Sequence, residues 1–143
     1  MKRTNILNIL IIFILCIGGI NAQSVKVAPP INGYKYIQIN DADHNFGNFT
    51  YGKAIGYSVK MKNISEDTLQ LTNVVVSCGC TTPEYKVGNY APDSSINMHI
   101  GFNGYTEGKL NKTMSVLFQD KGKPFVIILR FRGNGIKKES ATK

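Results

Sequence analysis

The chain has 143 residues, with 17 Lys and Arg against 9 Asp and Glu, a formal charge of +8, and 43% hydrophobic side chains. That length and composition fit one domain with a modest core. The charge permits contact with an anionic polymer or lipid headgroups, but no run of basic residues interleaved with aromatics is present, so a nucleic-acid surface is not expected.

The first residues are Met1-Lys2-Arg3, followed by an apolar run from Ile6 to Ile20 and then Asn21-Ala22-Gln23. A basic start, a short hydrophobic segment and a small residue before a polar one make residues 1–22 a secretory signal peptide, cleaved after Ala22. The run falls short of the roughly 20 apolar residues of a membrane span, so no transmembrane span is expected in the mature chain. Cys16 invites a lipoprotein reading, yet Phe13-Ile14-Leu15 stand where lipidation wants small residues, and Cys16 reads better as part of a discarded peptide. An exported protein of the periplasm or cell envelope is expected, possessing two cysteines and, without Lys2 and Arg3, a formal charge of +6.

Residues 23–33 read as a flexible N-terminal segment, and the sandwich domain is expected over 34–136, ahead of a basic tail at 137–143 that includes Lys137, Lys138 and Lys143. A strand is predicted from Tyr34 to Ile39 and a short one at Asn45-Phe46-Gly47. Ile55, Tyr57, Val59 and Met61 alternate with Gly56, Ser58, Lys60 and Lys62, the period-two pattern of a strand with one wet face. In the next strand Leu69 and Leu71 are apolar at odd positions and Val74 and Val76 at even ones; a slip of one residue near Thr72-Asn73 without a turn signal marks a β-bulge.

If that strand stays extended, Cys78 and Cys80 of Ser77-Cys78-Gly79-Cys80-Thr81-Thr82-Pro83 lie on the side of Val74 and Val76. Ile96, Met98, Ile100 and Phe102 alternate again, as do Met114, Val116 and Phe118. The final run, Pro124 to Arg132, is apolar on both sides near its middle and is placed centrally or beneath a loop. Seven or eight strands separated by turn-rich segments give an all-β fold, an immunoglobulin-like antiparallel sandwich.

Catalytic chemistry finds little to build on. The nine acids are scattered, mostly in turns, and there is no Gly-x-Ser-x-Gly elbow, phosphate-binding glycine loop or His-Glu-x-x-His helix. His44 and His99 are the only candidate bases for a cysteine nucleophile; His99 faces outward by parity and His44 reads as an edge histidine. The pair Cys78 and Cys80 remains open to several readings. Two thiolates could bind copper(I) or, with imidazoles, zinc, although paired zinc cysteines are usually spaced by two or more residues. A redox pair usually has two intervening residues at a helix start, whereas here Gly79 alone intervenes, able to fold back with positive φ for a small-ring disulfide. A structural corner, bridged or not, asks least of these residues.

His44-Asn45-Phe46-Gly47, Lys62-Asn63, the segment Val75 to Pro83, Ala91-Pro92, Asn111-Lys112 and Leu129 to Gly133 resemble the secreted bacterial family catalogued as domain of unknown function 1573. The resemblance implies an immunoglobulin-like sandwich in an exported Gram-negative protein, with no reaction attached and only Cys78, Gly79 and Cys80 as a motif of possible function. The chain departs from the family at Asp93, where glycine usually follows the proline, and at Asn45, where aspartate is frequent. The expected function is a non-enzymatic binding or accessory module with no cofactor, whose partner is another envelope protein or an anionic polymer, engaged through an edge strand or the loop from Ser77 to Tyr85. The alternative is a thiol-based redox or copper-handling protein. Sequons at Asn48, Asn63 and Asn111 are discounted as chance matches in a bacterial chain.

Overall fold

A computed structural model describes residues 31–137. The signal segment with Cys16, most of the 23–33 segment and the tail after Lys137 lie outside the described residues. Ten strands follow in order: β1 (Ile31–Asn32), β2 (Ile37–Ile39), β3 (Asp43–Thr50), β4 (Ile55–Asn63), β5 (Leu69–Val76), β6 (Thr81–Glu84), β7 (Gly88–Tyr90), β8 (Ser95–Phe102), β9 (Gly108–Asp120) and β10 (Lys123–Ile136). One sheet has the order β10, β9, β5, β7, with β1 and β3 both paired to β10; the other is β2, β4, β8, β6.

The alternation of apolar residues sets which face each strand buries. Tyr57, Val59 and Met61 of β4 and Ile96, Met98, Ile100 and Phe102 of β8 face Met114, Val116 and Phe118 of β9 and Phe125, Ile127, Leu129 and Phe131 of β10 in one core. Each large side chain contributes roughly 1.5–3 kcal/mol relative to exposure. Phe118 and Phe125 stack as a cross-strand pair within the six-stranded sheet, with ring centroids 5.3 Å apart, and the tilted pair Phe102 and Phe131 bridges the two sheets. β9 and β10 meet through the two-residue turn Lys121-Gly122, both at positive φ (47° and 78°), a backbone twist that suits a tight hairpin.

The all-β sandwich is as expected, with differences in detail. Two pairings, β1 with β10 and β3 with β10, are parallel. Alternation reports faces but not strand direction; here β2 lies in the opposite sheet, so the chain leaves β10 and returns to it in the same sense. The extra strands are short, β1 with 2 residues and β7 with 3, too brief to show a period. Tyr34 and Lys35 belong to a 3₁₀ turn, Gly33–Lys35, capped by Asn32, whose side chain accepts a hydrogen bond from the Tyr34 N–H at 3.1 Å. Ile128 is exposed and Val126 half-buried, so the outer face of β10 is less covered than its composition suggests. The Tyr34 hydroxyl donates to the Ile128 carbonyl (2.8 Å), in the gap on the edge of β10 between the segments paired to β1 and β3. The predicted slip in β5 is present: register shifts between Leu71 and Asn73, and the Thr72 hydroxyl donates to the Leu117 carbonyl at 3.0 Å.

At the end of β4, Asn63 is fully buried. Its amide group donates to the carbonyls of Asp67 (2.8 Å) and Tyr90 (3.0 Å), and its side-chain oxygen accepts from the N–H and hydroxyl of Ser65 (3.0 and 2.7 Å). All four hydrogen-bonding positions of the carboxamide are filled. The Asn63 backbone joins the same junction, with its N–H donating to Ser94 and its carbonyl accepting from Asp93.

Two outcomes test this junction. Asn63→Ala strips partners from buried groups and is expected to cost roughly 2–4 kcal/mol, read as a lowered urea midpoint with unchanged slope. Asp93 holds φ 62°, and its ion pair with Lys62 is exposed and contributes little. Asp93→Gly is therefore expected to raise stability by up to about 1 kcal/mol in the same measurement.

Candidate functional site

The cysteine segment is the place where the chain changes sheets. β5 ends at Val76, and Ser77 is tied to β9: its N–H donates to the Thr113 carbonyl at 3.1 Å, and its hydroxyl accepts from the Thr113 N–H at 3.2 Å. After the turn, the Cys80 carbonyl accepts from the Asn103 N–H at 3.1 Å and the chain enters β6 beside β8 in the four-stranded sheet. Val74, Val76, Cys78 and Cys80 are half-buried, alternating with exposed Asn73, Val75, Ser77 and Gly79, but the strand does not stay extended: residues 77–80 form a bend and turn, and Val74, Val76 and Cys80 pack against the core.

The sulfurs of Cys78 and Cys80 are bonded to each other, with their Cα atoms 5.3 Å apart, inside the ordinary range for a disulfide. Buried Thr81 sits beneath them, its hydroxyl 3.6 Å from the Cys78 sulfur, and Cys80 packs against the core. Gly79 lies in the turn but is not at positive φ, and a Cβ added there would meet nothing within 4 Å. The left-handed fold-back expected of Gly79 is unnecessary, because the Thr81 N–H closes the turn onto the Cys78 carbonyl (3.3 Å).

The Cys80–Asn103 bond also sets the hydrogen-bonding phase of β6. Antiparallel alternation directs the backbone groups of Thr82 and Glu84 toward β8 and those of Thr81 and Pro83 toward the open edge. Pro83, which has no N–H, thus costs the sheet no ladder bond and removes a donor from the exposed side.

The histidines stand apart from this corner. His99 is exposed on β8, as parity predicts, with its Nδ1 3.2 Å from the Ser58 hydroxyl. His44 differs from expectation: it is half-buried, stacked on the Tyr57 ring at 4.0 Å and held by Asp41, whose carboxylate lies 2.6 Å from its Nδ1. The sequence does place Asp41 three residues before His44, but nothing in it reveals the aromatic seat supplied by β4. Among the described residues, no group of three or more His, Cys, Asp and Glu converges as metal ligands.

The Tyr57 hydroxyl is buried without a hydrogen-bond partner among the described residues. Burial first, then the negative charges of Asp41 and Asp43, push its pKa up to about 12. An unfolded tyrosine titrates near 10, so this group favours the native state below about pH 10, and that contribution is lost as the pH rises toward 12. In an absorbance titration at alkaline pH, one of the seven tyrosines is expected to ionise last. Tyr57→Phe should abolish that late step and, having no hydrogen bond to lose, should leave stability at neutral pH unchanged or higher by up to about 1 kcal/mol.

No helix among the described residues is long and apolar enough to cross a membrane. The fold is shared with solved structures of low sequence identity. The Vibrio cholerae VesB protease matches with a TM-score of 0.61 at 14% identity, over 69% of this chain and 32% of that one, so the chain spans about a third of that protein's length. The PapD-like domain 7 of human CEP192 matches at 0.58 and 11% identity, over 73% of this chain and 87% of that one. WR4, a member of the MSP family from C. elegans, matches at 0.52 and 10%, over 71% and 98%. These likenesses make the sandwich immunoglobulin-like. No curated protein matches the chain. The pattern of the family described as "Protein of unknown function (DUF1573)" matches residues 37–134, and the chain belongs to that family.

Proposed function

We propose that the protein is a non-enzymatic, exported binding module of the cell envelope that engages another envelope protein through the corner from Ser77 to Tyr85. The supporting observation is the shape of that excursion. The chain leaves the six-stranded sheet at Val76, forms β6 in the other sheet and comes back toward β7, pinned by the disulfide, by Ser77 to Thr113 and by the Tyr85 hydroxyl donating to the Asn73 side chain at 3.1 Å. Two valines, Val75 (50% exposed) and Val87 (56%), flank it in solvent. A preorganised segment with exposed apolar flanks loses little conformational entropy on binding. Because Pro83 withdraws a donor from the open edge, contact through side chains is favoured over addition of a partner strand.

The signal-like N-terminus supports export, and the envelope is where a disulfide persists. Of the thiol-based readings, copper(I) handling needs Cys78 and Cys80 reduced, and a redox role needs the bridge between them to open and close.

A capture experiment on envelope extracts, scored beside thermal melts, separates the two readings. Val75→Asp with Val87→Asp is expected to lower capture at least tenfold with an unchanged melting temperature; retained capture would overturn the corner as the contact. Cys78→Ser with Cys80→Ser is expected to lower the melting temperature and weaken capture together. Full stability and capture in that variant, with loss of copper(I) binding or of a redox phenotype, would replace this reading with the thiol one.

A further inference from the structure

A second surface shares no residue with the corner. On the outer face of the six-stranded sheet, where β3, β10 and β9 run side by side, lies an open trough of about 420 Å³ rimmed by asparagines, Arg132 and Lys109. A bulge in β3 creates it. Arg132 pairs with Asn45 and Asn134 with Asn48, so one residue of β10, Gly133, faces two of β3, Phe46 and Gly47. Gly47 takes φ +63°, and its N–H donates to the Asn45 side chain at 2.9 Å. The bulge reverses the phase of the strand: Phe46 and Phe49, three apart, both turn inward, while Asn45, Gly47 and Asn48 are all exposed.

Two rows of side chains result. Asn45, Arg132 and Asn111 form one, and Asn48, Asn134 and Lys109 the other, with the Asn134 amide donating to the Asn48 side-chain oxygen at 3.3 Å. Between them runs a strip of backbone through Gly133, an inward position where a Cβ would come within 3.0 Å of the buried Phe49 ring and 3.1 Å of the Gly47 carbonyl. The glycine thus lets β10 close over Phe49 beneath the trough. Arg132 uses its Nε on Asp43 (2.9 Å), and its terminal amino groups make no hydrogen bond among the described residues. Lys109 has no ion-pair partner among them either.

This set of groups suits one kind of ligand. Each carboxamide offers a donor and an acceptor at fixed separation, which matches sugar hydroxyls that both donate and accept. Two cations against the single carboxylate of Asp43 leave room for an anion, and the planar guanidinium presents paired donors to a carboxylate. No aromatic side chain lines the trough, so the stacking platform of a nucleic-acid strand is absent from it. We propose that this trough binds a uronate-bearing saccharide, as part of an acidic envelope or environmental polysaccharide.

The test is a titration of the purified protein with trigalacturonate, followed by amide chemical shifts, with maltotriose and inorganic phosphate as parallel arms. Trigalacturonate is expected to shift Gly47, Asn111 and Gly133, to bind at least tenfold tighter than maltotriose and to weaken with added salt. Arg132→Gln and Asn111→Leu should each lower affinity at least tenfold with unchanged melting temperature; Lys109→Gln serves as the second cation variant if Arg132→Gln is unstable. The proposal is overturned by no saccharide binding, by equal affinity for maltotriose, by phosphate binding in the trough as strongly as the saccharide, or by folded variants that bind like the parent.

Discussion

The carboxamide of Asn63 is the point on which the sandwich turns. It sits where β4 leaves the four-stranded sheet, and it holds the Tyr90 carbonyl of β7 in the six-stranded sheet and the Asp67 carbonyl in the connection to β5. A buried amide with an empty position would be a liability; with all four filled it fixes one geometry for three segments. The hydrophobic effect draws the sheets together without direction, and this polar knot sets how the loop between β4 and β5 crosses from one to the other.

From that junction the two candidate surfaces follow by a common device. In β5 an inserted residue at Thr72 shifts the phase, so that Val74 and Val76 lead to the sheet switch on the core side and Cys80 packs against the core beyond it. In β3 the insertion at Gly47 turns Asn45 and Asn48 outward together. Each bulge leaves the core registered on both sides of it while re-aiming the residues that follow. The aromatic seat of His44 belongs to the same region, since Phe46 meets His44, Tyr57 and Phe131 edge to face just before the β3 bulge.

Much of this was legible in the residues. Alternation in β4, β8, β9 and β10 named the core side chains correctly, and the mismatch of Leu71 with Val74 located a bulge, because burial imposes a strict period of two. The odd spacing of Phe46 and Phe49 carries the same signal for β3, but a strand as short as the predicted Asn45-Phe46-Gly47, interrupted by Gly47 and flanked by Asn48, shows no period against which a slip can be seen. In the sequence Asn63 stands out only as a sequon and as part of the family resemblance; its buried role depends on Ser65, Asp67 and Tyr90, partners known only once the sheets close. Asp93 was marked by the family resemblance as an unusual substitution for glycine, and its left-handed backbone is the physical reason glycine suits that position. The parallel partners of β10 depend on where β2 goes, which no local pattern records.

The hydrogen bond from the Tyr34 hydroxyl to the Ile128 carbonyl has a consequence for life at high concentration. β10 has 14 residues at the side of its sheet, the longest strand among the described residues and so a potential template for recruiting a foreign strand. Its margin is divided instead into a stretch held by β1, a stretch held by β3 and a short interval between them where a phenol occupies the exposed acceptor. A neighbouring copy therefore meets an interrupted border, and the protein guards against fibrillar self-association with one side chain placed where two short strands leave off.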